Sequence, residues 1–167
     1  MNRSATILLS LVSLLMSPFA SSAGNPKLTA AVIVRLDDVH EMWGGHTLVL
    51  DADGNLFVRK VTGRNEVRHY LKLPPEEINA LLAFMPISGI LDYRERKRAG
   101  VIDEAYRRIT VTLPKQKKLV ADKWANDEDP QFDKLYKRLL QLVERAAKTP
   151  SYKTQQFELA AEFPGDN

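Results

Sequence analysis

The stretch Asp37-Asp38-Val39-His40-Glu41-Met42-Trp43-Gly44-Gly45-His46 gathers two aspartates, a glutamate and two of the chain's three histidines. Carboxylates and imidazoles are ligands of divalent metals. Asp37, Asp38, His40 and His46 are therefore the candidate metal ligands, and a metal-dependent activity of the 37–46 loop is one reading of them. Zinc proteases place the histidines of HExxH four apart so that both imidazoles share a helix face. Here the second histidine follows six positions after the first, and Gly44-Gly45 disfavours a helix. A loop could still wrap the four side chains round an ion; the alternative is that they are solvated loop residues.

Asp51-Ala52-Asp53-Gly54-Asn55 has the composition of a calcium loop. An EF-hand needs glycine at its sixth position and a glutamate at its twelfth. Counting from Asp51, glycine stands fourth and Thr62 twelfth. Apolar runs flank the stretch on both sides, and Asp-Gly between such runs signals a hairpin. The expectation is a turn.

The basic run Arg94-Glu95-Arg96-Lys97-Arg98 is the one concentrated charge, with Arg107 and Arg108 further on. It could grip a polyanion, or be a solvated loop partly neutralised by Glu95, Asp103 and Glu104. Trp43, flanked by glycine, would make a good contact for a protein partner if exposed; packing at the core rim is the competing role. Partner-binding candidates are thus Trp43, Arg94, Arg96, Lys97 and Arg98. His69 falls on the apolar face of its segment and reads as a core or rim histidine. There is no GxSxG elbow, no SxxK, no glycine-rich phosphate loop and no cysteine. No catalytic residue and no cofactor is assigned.

The elements that must position these groups follow from periodicity. Segments 28–36, 46–51, 55–61 and 66–73 read as strands, the last alternating Val67, His69, Leu71 and Leu73 against Arg68, Tyr70 and Lys72. Residues 74–86 predict a short helix, with Pro75 in its first turn, Glu76 and Glu77 at the positive end of the dipole, and Pro86 as its stop. A second hairpin is expected over 106–113 and 117–124. In 129–148, Asp129 and Pro130 open a helix whose Phe132, Leu135, Tyr136, Leu139, Leu142, Val143 and Ala146 make one apolar stripe. The fold class is α+β: an antiparallel sheet of hairpins with two helices packed on one face, in the order strands–helix–two strands–helix.

At the N-terminus, Arg3, the apolar run 7–16 and the small residues Ala20-Ser21-Ser22-Ala23 form the pattern of a signal peptide cleaved after Ala23. This predicts export, a single domain over 24–148 and a polar tail over 149–167. Losing Arg3 leaves 23 basic residues against 21 acidic ones, a net charge of +2. So near neutrality argues against a nucleic-acid binder. Zero cysteines exclude disulfides, and a small exported domain without them suits a bacterial periplasm or cell surface. No second apolar segment approaches membrane-spanning length.

The hairpin strands around the Asp-Gly turn, the Pro-Glu-Glu-Ile-x-x-Leu-Leu helix, the Ile-Thr-Val-Thr-Leu/Lys-Leu-Val-Ala-Asp hairpin and the closing amphipathic helix resemble, in layout from Val32 to Ala146, small exported bacterial α+β domains of unknown function. The resemblance implies the fold and brings no catalytic residues. Together these features lead to an expected non-catalytic binding domain of the cell envelope that recognises a protein partner.

Overall fold

The computed structural model describes residues 31–40, 43–94, 104–113 and 118–152. Strands β1 (Val32–His40), β2 (Gly44–Asp51), β3 (Asn55–Thr62) and β4 (Asn65–Lys72) form a meander; helix α1 (Pro75–Ser88) and a 3-10 turn (Ile90–Asp92) follow. Then come β5 (Tyr106–Val111), β6 (Leu119–Trp124), helix α2 (Pro130–Ala146) and the two-residue β7 (Ser151–Tyr152). All pairings are antiparallel, in the spatial order β6-β5-β1-β2-β3-β4-β7. This is the expected α+β layout. Among the described residues no helix is long and apolar enough to cross a membrane.

Both helices pack on one face of the sheet. Leu36, Leu48, Leu50, Leu56, Val58 and Ile109 meet Leu81, Met85, Leu135 and Leu139, all buried. The seven residues of the α2 stripe are buried as their spacing requires. Fully burying one such side chain is worth about 1.5–3 kcal/mol, whereas the half-exposed Glu77–Arg145 pair between the helices, at 2.7 Å, falls in the class worth about 0–1 kcal/mol. Apolar contact therefore holds the helices down. Asp129 caps α2 by accepting from the amides of Gln131 (3.1 Å) and Phe132 (3.0 Å).

The Asp51–Asn55 stretch is a turn. The Asp51 carboxylate accepts from the Asn55 amide (2.8 Å) and from its side-chain nitrogen (2.7 Å). Gly54, at φ +85°, leaves no room for a side chain, because a Cβ there would lie 2.6 Å from the Leu73 carbonyl oxygen.

Three boundaries differ from expectation. Residues 37–40 and 44–46 are strand and not loop: β1 runs to His40 and β2 starts at Gly44, with Asp37 opposite Thr47, Asp38 opposite His46 and His40 opposite Gly44. Aspartate disfavours strands, but ladder pairing on both sides of β1 and ion pairs for both carboxylates override that preference. Pro86 does not end α1. The missing N–H costs one bond of the last turn, and the helix stops instead at Gly89, whose φ of +81° a left-handed cap requires. Finally, the domain extends past Lys148. The Thr149 carbonyl accepts from the Nδ1–H of buried His69 (3.0 Å), and Ser151 and Tyr152 pair with His69 and Arg68 on the outer edge of β4.

Candidate functional site

Polar side chains concentrate at the end of the sheet where β1 and β2 join. Three groups lie there: the tip itself, a cluster on the helix side and a cavity on the open side.

The tip is shaped by glycine. A Cβ on Gly44 would lie 2.3 Å from the Val61 carbonyl oxygen, and one on Gly45 would lie 1.9 Å from that of Asp38. Their φ angles, +77° and +140°, suit glycine alone. This close approach fixes the path of the chain as it presents Trp43, which is 71% exposed. The ring of His40 stacks beside it, with centroids 6.4 Å apart and planes inclined by 30°.

On the helix side Asp38 is the hub. The Tyr136 hydroxyl of α2 donates to its Oδ2; Arg107 Nε of β5 lies 3.3 Å away and His46 Nε2 of β2 lies 3.8 Å away. The Arg107 guanidinium also sits 4.8 Å above the Tyr136 ring, within cation–π range. Burial, and then the bond to Asp38, pushes the Tyr136 hydroxyl well above the ordinary tyrosine range, so it is held as a phenol. Burial likewise lowers His46; Asp38 opposes that shift, while Arg107 and Lys60 add to it. The cluster ties three strands to α2.

On the open side, cross-strand register lines up one residue from each of seven strands: Asp122, Arg108, Asp37, Thr47, Arg59, Arg68 and Tyr152. Arg35 clamps Asp37 with two bonds (2.8 and 2.9 Å), Arg108 clamps Asp122 (2.7 and 3.0 Å), and Arg68 Nε bonds Glu66 (2.5 Å). Arg59 donates to Thr47 Oγ1 at 3.2 Å. The bond to Asp122 raises the Arg108 pKa further above its ordinary value, making it a permanent cation. A cavity of about 260 Å³ opens within this row, lined by Asp37, Val39, Thr47, Arg59, Tyr106 and Arg108.

The four candidate metal ligands are thus divided. Successive strand residues face opposite ways, so Asp37 lies on the open face and Asp38 on the helix face. His46 joins Asp38 but His40 belongs to the tip. Among the described residues no group of three or more histidines, cysteines or carboxylates could hold a metal ion. Of the basic run, Arg94 is described and exposed, while Arg96, Lys97 and Arg98 lie outside the described residues. Sequence reasoning passed over Arg59 and Thr47; their signal was the period of two that puts Arg59 on the face of Asn55 and Phe57. No protein-family model, curated protein or solved structure matches the chain.

Proposed function

We propose that this chain is an exported, non-catalytic binding domain of the bacterial cell envelope that recognises a protein partner through Trp43. The exposed indole on a tip shaped by Gly44 and Gly45 carries the reading. A tryptophan offers roughly 150–250 Å² of contact surface, and burying it at the centre of an interface is commonly worth about 2 kcal/mol or more. Gly44 and Gly45, already held in the ladder next to Trp43, lose little freedom on binding. The signal-peptide pattern of residues 1–23 and the lack of any nucleophile or phosphate-loop motif support the same reading. Arg94, Arg96, Lys97 and Arg98 would supply steering toward an acidic partner, a contribution that salt weakens.

The test is affinity capture from an envelope extract with the mature chain, wild type beside Trp43→Ala, at low and high salt. A single protein retained by wild type at high salt and bound about thirtyfold more weakly by the variant is expected. Equal retention by both proteins would remove Trp43 from the interface, and an empty eluate would remove the partner. N-terminal sequencing of the exported protein checks the first step, with Gly24 the expected start.

A further inference from the structure

The two helices lie on the same face of the sheet, yet they meet solvent with opposite chemistry. Beyond Pro130, every exposed position of α2 carries a charged or amide side chain. Helix α1 has no charged residue from Ile78 to its end at Ser88, and none follows before Asp92. Its inner side buries Ile78, Leu81 and Met85. On its outer side Ala80, Ala83, Phe84 and Ile87 recur at three- and four-residue spacing, which makes a second apolar stripe. Ala80 and Ala83 are exposed, Phe84 is half-buried and Ile87 is 73% exposed. A helix that is apolar all round is normally one that is buried all round. This one keeps its second stripe in water.

We propose that this outer stripe is the seam of a two-fold dimer, in which α1 packs antiparallel on α1 of a second copy. Side-chain size favours a copy as the occupant. A two-fold axis passing between Ala83 and Phe84 sets Ile87 against Ala80 of the copy and Phe84 against its Ala83. Each large side chain then meets a small one, and a two-fold contact makes every such pairing twice. Charge points the same way. The stripe carries none, so it offers nothing to a charged partner. Exposed Glu76 stands at its N-terminal end, and exposed Arg94, past Asp92, lies beyond its C-terminal end. Antiparallel pairing brings each acidic end toward the other copy's arginine and opposes the two helix dipoles. The contact is short. Fourteen residues make a helix about 21 Å long, and one face of it covers less than the roughly 800 Å² per partner of a standard interface. The dimer is therefore of the weak class. Trp43 is no part of the stripe, so the dimer and the tip contact are tested separately.

The purified exported chain is followed by sedimentation velocity from about 5 to 500 µM, a range that spans weak association. The wild type is expected to move from monomer toward dimer as concentration rises. Ile87→Lys, at an exposed side chain that folding can spare, should stay monomeric throughout with its melting temperature unchanged, and Trp43→Ala should dimerise as the wild type does. Glu76→Arg should weaken the dimer several-fold, and Glu76→Arg combined with Arg94→Glu should restore it. Because the chain has no cysteine, Ala83→Cys gives a clean second readout. Beside the axis it should cross-link to its own copy on mild oxidation, which needs Cα atoms within about 7 Å, whereas Lys137→Cys on α2 should not. A wild type that is monomeric at every concentration, a dimer that Ile87→Lys leaves intact, or one that Trp43→Ala abolishes would each overturn the assignment. A monomer that binds phosphatidylglycerol vesicles through Ile87 would overturn it too, by giving the stripe to a membrane surface.

Discussion

Asp37 and Asp38 are neighbours in the chain, yet the two faces of the sheet treat them in opposite ways. Asp38 faces α2 and is enclosed by Tyr136, Arg107 and His46, its side chain 13% exposed. Asp37 faces the open side, is clamped by Arg35 of its own strand, and borders a cavity. The helix-side cluster joins elements distant in sequence, Asp38 and Tyr136 being 98 positions apart. The open-side pair joins residues two apart. One face ties its charges to elements distant in sequence, while the other pairs its carboxylates with arginines of the same strand or of the strand alongside.

The largest effect should come from the residue that both faces depend on. Gly45 lies in the ladder opposite Val39, and a Cβ there would overlap the Asp38 carbonyl oxygen at 1.9 Å. Since the obstacle is backbone, no rotamer relieves it. Gly45→Ala is expected to lower stability by about 3 kcal/mol in urea denaturation, and to disturb Asp37 and Asp38 together. A loss under half that size would show that β1 and β2 can part at the tip without cost.

The next comparison sets the two carboxylates against each other. Asp38→Asn leaves the partly buried Arg107 without its counter-charge and weakens the Tyr136 bond, at a cost of about 2 kcal/mol. Asp37→Asn breaks a bidentate pair between residues two apart, with more solvent around it, and should cost about 0.5 kcal/mol. Equal losses would erase the distinction between the faces. The order reversed would mean that the open face carries the structure.

Much of this architecture was legible from residue type and period. The Asp51–Asn55 turn follows from Asp-Gly between apolar runs, the α2 stripe from three- and four-residue spacing, and the burial of His69 from its place among Val67, Leu71 and Leu73. What could not be read is what depends on partners. Asp37-Asp38 looks like loop in isolation because its strand conformation is enforced by β2 on one side and by β5, some seventy residues away, on the other. The row from Asp122 to Tyr152 exists only once seven strands take their registers, so Arg59 and Arg108 are unrelated until the sheet forms. Local rules also misplaced the end of α1, where Gly89 rather than Pro86 decides the stop.

The smallest effect separates the faces by pH. His46 is the titratable base of the helix-side cluster, and burial lowers its pKa in the folded state below the ordinary value of 6.5. The unfolded chain therefore takes up a proton at this residue first as pH falls below about 6.5, and stability falls with it until the folded form titrates too. Above that value the contribution is fully present. His46→Gln should flatten this part of the stability–pH curve between about pH 7 and 5, while Asp37→Asn, on the other face, should leave the slope there unaltered. Stability that rises toward acid in the wild type would mean that attraction between His46 and Asp38 outweighs burial, and that the cluster behaves as an ion pair and not as a desolvated anchor.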